Sequence, residues 1–240
     1  MDQSELIGKC VPVLDKGFIE LQSLMGDDLA IVNAARVSFL GESKGPEKDK
    51  KLLFYLMQHR HTSPFEQVEF KFRCRAPLVT WWQWVRHRTW SMNAQSGRYT
   101  AFTENDFYLP TVWRRQADSN KQASEGVIGE EDAADLTGRL VQHYAAGYQL
   151  YEEALQRGVA REMARLFLPG FAVYYTWVCK VDAHNLAHFL VLRMDKTAQY
   201  EIRVYAQTIW HHFFKPALPW MAEAMEKFMF HSNIDLSVPE

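Results

Sequence analysis

The sequence predicts a mixed α and β protein built around one substantial core, and three observations predict it. With 240 residues, 48% of them hydrophobic, the chain can bury enough apolar surface for a single large domain spanning residues 1–240. Val68, Phe70, Phe72 and Cys74 alternate with Glu69, Lys71, Arg73 and Arg75, the period-two pattern of a half-buried strand. Leu136, Leu140, Tyr144, Tyr148, Tyr151 and Leu155 recur at helical spacing over residues 131–156, and Gly158 supplies a stop.

The other elements follow in chain order. Residues 11–24 read as a hairpin turning at Asp15-Lys16-Gly17, and Asp27 or Asp28 can cap a helix reaching about Ser38. Pro46 fits the first turn of a helix that buries Leu52, Leu53, Leu56 and Met57. The alternating strand covers residues 67–75, and Pro77 opens a helix leading toward Arg86. Residues 117–130 are polar and too long for a simple connection, which predicts a mobile lid that orders over a ligand. A short helix over residues 161–168 is stopped by Pro169, and residues 171–181, rich in Tyr, Val, Trp and Thr, read as a strand. Asp182 then caps a helix over residues 184–192, and a further helix over residues 198–214 ends where Pro216 and Pro219 break the chain.

A net charge of −2 and an isoelectric point near 6.5 leave no global field for nucleic acid or an anionic membrane. Cys10, Cys74 and Cys179 have no paired spacing, which argues against a disulfide framework or a Cys-type zinc site and for a reducing, cytoplasmic setting. No apolar span reaches about 18 residues, and the first residues lack a signal-peptide core. The sequence shows no internal repeat, Gly-rich phosphate loop, GxGxxG or GxSxG. No metal is expected: His184 and His188 stand one turn apart, but Asn185 follows where a zincin carries Glu.

Charge is concentrated locally instead. Arg86-His87-Arg88-Thr89-Trp90-Ser91-Met92-Asn93-Ala94-Gln95-Ser96-Gly97-Arg98-Tyr99 places three guanidinium forks among hydroxyl and amide donors. Such forks repel one another unless anions sit between them, so the segment reads as a site for a phosphorylated ligand. The tryptophans Trp81, Trp82, Trp84 and Trp90 around it are read as core or subunit interface rather than as stacking platforms.

Arg86-His87-Arg88, seven residues and then Ser96 resembles the signature of the flavin-dependent thymidylate synthases. Further segments resemble that family in order: Ala35-Arg36-Val37-Ser38-Phe39, His61-Thr62-Ser63-Pro64-Phe65-Glu66, Gln83, Arg161-Glu162-Met163-Ala164-Arg165, Asp182-Ala183-His184-Asn185-Leu186, Leu192-Arg193 and Ala198-Gln199-Tyr200-Glu201-Ile202. The resemblance implies an α+β subunit with a central, largely antiparallel sheet and flanking helices. It implies reductive methylation of uracil C5 in a uridine 5′-monophosphate, UMP or dUMP, with FAD as cofactor and NADPH and 5,10-methylenetetrahydrofolate as cosubstrates. It also implies a homotetramer whose active sites lie at subunit interfaces. Arg193 resembles the catalytic arginine that contacts the pyrimidine. Gln83, Arg86, Ala94, Gln95, Ser96, Gly97, Arg98, Arg165 and Arg193 resemble the nucleotide-binding set, and His61, Ser63, Arg86, His87, Arg88, Asp182, His184 and His188 the flavin-binding set.

The cysteines bear on the same chemistry. Attack on uracil C6 normally uses an exposed, activated thiolate. Cys74 falls on the apolar face of its strand, Cys179 lies in an apolar run, and Cys10 is near the terminus. The chain departs from the family pattern at Ala94, where relatives carry Glu, and at Thr197, where they carry His. Losing a carboxylate at Ala94 predicts room for a ribose 2′-hydroxyl, as in relatives that methylate UMP in nucleoside-antibiotic biosynthesis. Two alternatives stay open: a non-catalytic protein binding single-stranded RNA or nucleotides, and a flavoprotein that has lost methyl transfer.

Overall fold

The computed structural model describes residues 3–118 and 124–239. β1 (Cys10–Val13) and β2 (Gly17–Met25) form the antiparallel hairpin expected around Asp15. Gly17 is required there because a Cβ would collide with the Tyr205 hydroxyl and two backbone carbonyls. β3 (Glu69–Pro77) pairs with β2 on one side and with β7 (Tyr174–Asp182) on the other. β4 (Ser91–Ala94) adds to the free edge of β7, giving the order β1-β2-β3-β7-β4 with every pair antiparallel.

The alternation seen in β3 is realised as burial: Phe70, Phe72 and Cys74 are inaccessible, as are the matching residues Trp177, Cys179 and Val181 of β7. Phe70 stacks on Phe214 and Phe72 meets Phe213 edge-on. Those two phenylalanines belong to a wider π turn (Trp210–Phe214) that continues α7 (Tyr200–Ile209) and runs on into α8 (Lys215–Ala217). The helix expected over residues 198–214 with a break at Pro216 instead starts at Tyr200, widens at Trp210, where the missing Pro216 N–H costs the ladder little, and passes through Pro216 to Ala217.

α1 (Asp28–Arg36) starts where Asp27 accepts the Ala30 N–H at 2.8 Å. Asp28 does something the sequence concealed. Its buried carboxylate accepts the Trp220 and Met221 N–H groups, at 2.8 and 3.0 Å, and so caps α9 (Pro219–Phe228). Pro219 therefore begins a helix instead of only breaking the chain; at the first position its missing N–H is no loss. Burial, partly offset by those two N–H groups, pushes the Asp28 carboxyl up to about 6. α2 (Pro46–Gln58) runs as expected and buries Leu53 and Leu56, and its inaccessible Asp49 is held by Arg36 and Ser43.

A second apolar cluster, built from Phe102, Phe107, Tyr151, Ala164, Leu168 and Val173, lies beneath α4 (Glu130–Gln156). The expected helix over residues 161–168 is α5 (Arg161–Ala164) followed by a tighter turn, Arg165–Phe167. The expected lid over residues 117–130 is only partly a loop. β5 (Arg114–Gln116) and β6 (Ser124–Val127) pair as a two-stranded ribbon, and Glu130 already begins α4; residues 119–123 lie outside the described residues. None of the described helices is long and apolar enough to cross a membrane.

Gly147 lets α4 approach the Arg165–Phe167 turn, since a Cβ there would stand 2.8 Å from the Phe167 carbonyl oxygen. An exposed helix glycine replaced by alanine normally gains about 1 kcal/mol. Here the backbone clash reverses the sign. Gly147→Ala should lose about 1–3 kcal/mol in denaturant unfolding, the usual range for overpacking; a gain in stability would show that the contact is slack.

Candidate active site

α3 (Leu78–Trp84) ends in Trp84, which is fully buried against Trp90 at 5.5 Å, Trp177 at 5.2 Å and Phe189 at 4.9 Å between ring centres. Trp84 precedes the Arg86-His87-Arg88 turn and Trp90 follows it, so packing fixes both ends, buries His87 and leaves Arg86 and Arg88 exposed. The helix stops at Trp84 rather than running to Arg86. Opposite lies α6 (Ala183–Arg193), begun by Asp182, whose carboxylate accepts the Asn185 N–H at 2.8 Å. Together they line a cleft of about 1380 Å³ formed by Gln83, Arg86, His87, Arg88 and Thr89 on one side, His184, Asn185, His188, Leu192 and Arg193 on another, and Thr197, Ala198 and Gln199 before α7.

Arg193 is fixed at three points. Its Nε donates to His87 Nε2 at 2.9 Å, Nη1 to Gln83 Oε1 at 3.2 Å and Nη2 to the Gln83 carbonyl at 3.1 Å. The first bond requires a His87 Nε2 that carries no proton. Burial, with Arg193, His188 and Arg86 beside it, pushes the imidazole down to about 4, so His87 is neutral at physiological pH. Burial and Arg86 also pull the Arg193 guanidinium below its ordinary value. Arg193 occupies the last turn of α6, where the helix dipole favours a cation, and both contacts operate at once.

Among the described residues Arg86 and Arg88 meet no carboxylate, which leaves uncompensated positive charge on the wall. That donor set suits the phosphates of a dinucleotide cofactor such as FAD. A neighbouring cavity of about 530 Å³, lined by His61, Phe65, Met221 and Phe228, shares His184 and His188 with the first. One elongated ligand can therefore pass along the exposed face of α6.

Not every residue singled out in the sequence lies there. Ser63 is exposed at the start of a tight turn (Ser63–Gln67), and Asp182 is occupied as the α6 cap. Ala94 stands on the core-facing side of β4, paired with Trp177. Gln95 is bonded to Thr176 through both its N–H and its Oε1. Ser96, Gly97, Arg98 and Arg165 form a separate group: Gly97 packs against Phe102 and the Arg165 stem, and Arg98 pairs with Glu162 at 3.0 Å. Both partners of that pair are about half exposed or more, so the bond is weak and readily exchanged for a phosphate. Thr197 is on the cleft wall with its hydroxyl committed to Asp195. Gln199, Glu201 and Arg114 were given no role by the sequence. Their signal was a carboxylate, Glu201, set in the apolar helix run beside Ile202 and Tyr205.

Cys74 and Cys179 are buried 3.9 Å apart, and burial pushes the Cys74 thiol up. Cys10 is exposed, but burial of its sulfur and Glu20 raise it as well. None of the three is an activated thiolate in the cleft.

An antiparallel sheet with flanking helices, and a basic cleft organised by a clamped arginine rather than a thiol, define an α+β protein with a site suited to anionic ligands. The comparisons with known proteins make that class specific. The profile of the thymidylate synthase complementing protein family matches residues 20–220. A flavin-dependent thymidylate synthase of Thermus thermophilus is 51% identical over 199 residues, 83% of this chain and 72% of that one. Another from Thermosipho africanus is 43% identical over 225 residues, 92% of this chain and 96% of that one. The crystal structure of the UMP/dUMP methylase PolB from Streptomyces cacaoi with 5-Br dUMP superposes with a TM-score of 0.82 at 31% identity, covering 91% of this chain and 98% of that one. The chain belongs to the flavin-dependent thymidylate synthase family, and membership in a family of enzymes displaces the single-stranded RNA reading.

Two outcomes follow from the clamp. Arg193→Lys keeps the charge but cannot make the three bonds, and should lower kcat/KM by about 100-fold, as for loss of one preorganised donor; wild-type kinetics would show that the clamp is dispensable. The unfolded imidazole titrates near 6.5 and the folded one only near 4, so the unfolded state takes up the proton first. Stability contributed by His87 is thus present above 6.5 and lost as pH falls toward 4. His87→Gln, which can still accept from Arg193, should show a shallower decline of melting temperature over that window; equal slopes would refute the neutral-histidine assignment.

Proposed function

We propose that this protein methylates C5 of the uracil ring in a uridine 5′-monophosphate, with FAD bound in the cleft. The single observation that carries the proposal is the three-point clamp on Arg193, set within the Arg86-His87-Arg88 wall that the family signature supplies. When bound, the flavin supplies electrons replenished by NADPH, and 5,10-methylenetetrahydrofolate supplies the carbon. The protein's own part is placement and electrostatics. Arg193 meets negative charge developing on the pyrimidine. Because Gln83 and neutral His87 already hold it, little reorganisation is needed as that charge appears. Arg86 and Arg88 receive phosphate oxygens, and His61, His184 and His188 border the path along α6. No thiolate is required at C6, in keeping with the buried or unactivated cysteines.

We infer that the working form is a homotetramer with shared sites. Within one chain, Ser96, Arg98 and Arg165 do not line the cleft that holds Gln83, Arg86 and Arg193, so a second copy could supply the missing phosphate contacts. Phe39, Leu40, Leu166 and Phe171 are each more than half exposed, large apolar side chains that subunit contacts would cover. The sugar is the finer point. PolB has been crystallised with both 5-Br dUMP and 5-Br UMP, and we infer that this chain likewise accepts the ribonucleotide; Ala94, packed toward the core, does not contact the sugar within one chain.

Purified protein should be yellow, bleach with NADPH and release tritium from C5-labelled UMP or dUMP only when nucleotide and folate are both present. A colourless protein that neither binds added FAD nor releases label would refute the proposal. Release should persist in the Cys10→Ala, Cys74→Ala, Cys179→Ala triple variant, whereas its loss in a folded triple variant would restore a thiol mechanism. UMP and dUMP should both be turned over; a protein that methylates dUMP alone would refute acceptance of the ribonucleotide.

A further inference from the structure

Gln199 immediately precedes α7 and lines the cleft. Its amide Nε2 donates to Glu201 Oε2 at 2.9 Å. Glu201 is only 6% exposed; its other oxygen receives Arg114 Nη2 at 2.6 Å and the Tyr108 hydroxyl at 3.3 Å. Arg114 also lies over the Tyr200 ring at 4.4 Å, so the base of the β5–β6 ribbon is tied to the start of α7. Burial favours the neutral acid, but Arg114 and the hydrogen bonds from Arg114 and Gln199 outweigh it and hold the carboxyl below its ordinary range. An ionised carboxylate only accepts, so the amide facing it must present its NH₂ group. Gln199 Oε1 is turned away from Glu201 and has no protein partner among the described residues.

The rest of the cleft is rich in donors. Arg86, Arg88 and Arg193 can only donate, and the acceptor nitrogen of His87 is already taken by Arg193. We propose that Gln199 is the built acceptor for the imide N–H of a bound ring, and that Glu201 and Arg114 are positioning residues that fix its amide. The imide, an N–H between two carbonyls, is common to uracil and to the flavin ring. In the proposed function Arg193 meets negative charge on the pyrimidine, and a pyrimidine that becomes anionic by losing its N3 proton has no imide N–H to donate, so the flavin imide is the favoured source. This assignment rests on the function proposed above.

Binding, not turnover, tests it. FAD affinity is read from flavin fluorescence with apoprotein, and UMP and dUMP affinity by equilibrium dialysis against holoprotein, each beside its N3-methylated analogue. Wild type should discriminate against the methylated form of one ligand. Gln199→Leu leaves the Arg114–Glu201 pair intact and should weaken that ligand by roughly 5- to 100-fold, the span for a donor left unpaired, while abolishing its discrimination. Loss confined to FAD assigns the flavin imide, and loss confined to nucleotide assigns uracil. Folded Glu201→Gln should lose the same discrimination, which a purely structural role would leave unchanged. If wild type and Gln199→Leu bind both ligands alike, the assignment is overturned while the proposed function stands. If wild type binds neither ligand, both are overturned.

Discussion

The hydrogen bond from Arg193 to His87 is the constraint around which this molecule is arranged. A guanidinium can donate to an imidazole nitrogen only if that nitrogen is unprotonated, and two cations at 2.9 Å would drive the last turn of α6 away from the Arg86-His87-Arg88 turn. The neutral state follows from packing. His87 is 9% exposed, edge-on to Phe189, beside a tryptophan cluster that admits little water. Hydrophobic burial of Trp84, Trp90 and Phe189 thus sets a protonation state, and that protonation state sets the direction of an arginine.

Seen this way, the sheet and the cleft are one construction. β7 passes Trp177 to the tryptophan cluster and at its C-terminal end presents Asp182, which starts α6. β3 leads directly into α3, whose final residues bring Gln83 and Trp84 to the same place. The two central strands therefore deliver the two walls of the cleft, and their pairing from Glu69↔Asp182 to Pro77↔Tyr174 fixes the distance between them. Gln199, on the third wall, is held separately through Glu201 to the β5–β6 ribbon.

Much of this was legible in the sequence, for identifiable reasons. The β3 strand, α2, α4 and the Asp27 and Asp182 caps rest on local signals, namely period, capping residue and proline position, and each stands where expected. β4 was not legible, because four residues with a polar face become a strand only through the open edge of β7. α9 was hidden because its cap comes from Asp28, some 190 residues away. For the site, residue types and order pointed to Arg193, Gln83 and the Arg86 turn. Sequence order could not reveal that Ser96, Arg98 and Arg165 group elsewhere in the chain, or that Asp182 is spent as a cap. The partnership of Arg114 and Glu201 was equally invisible, since it joins a ribbon and a helix 87 residues apart.

The cleft is organised by where the proton of His87 resides, and ¹⁵N NMR of imidazole-labelled protein observes it directly. The expected spectrum is that of a neutral ring with its proton on Nδ1 and an unprotonated, hydrogen-bonded Nε2, unchanged from pH 8 until the pH nears 4. A His87 that titrates near 6.5, or that carries its proton on Nε2 at neutral pH, would contradict it.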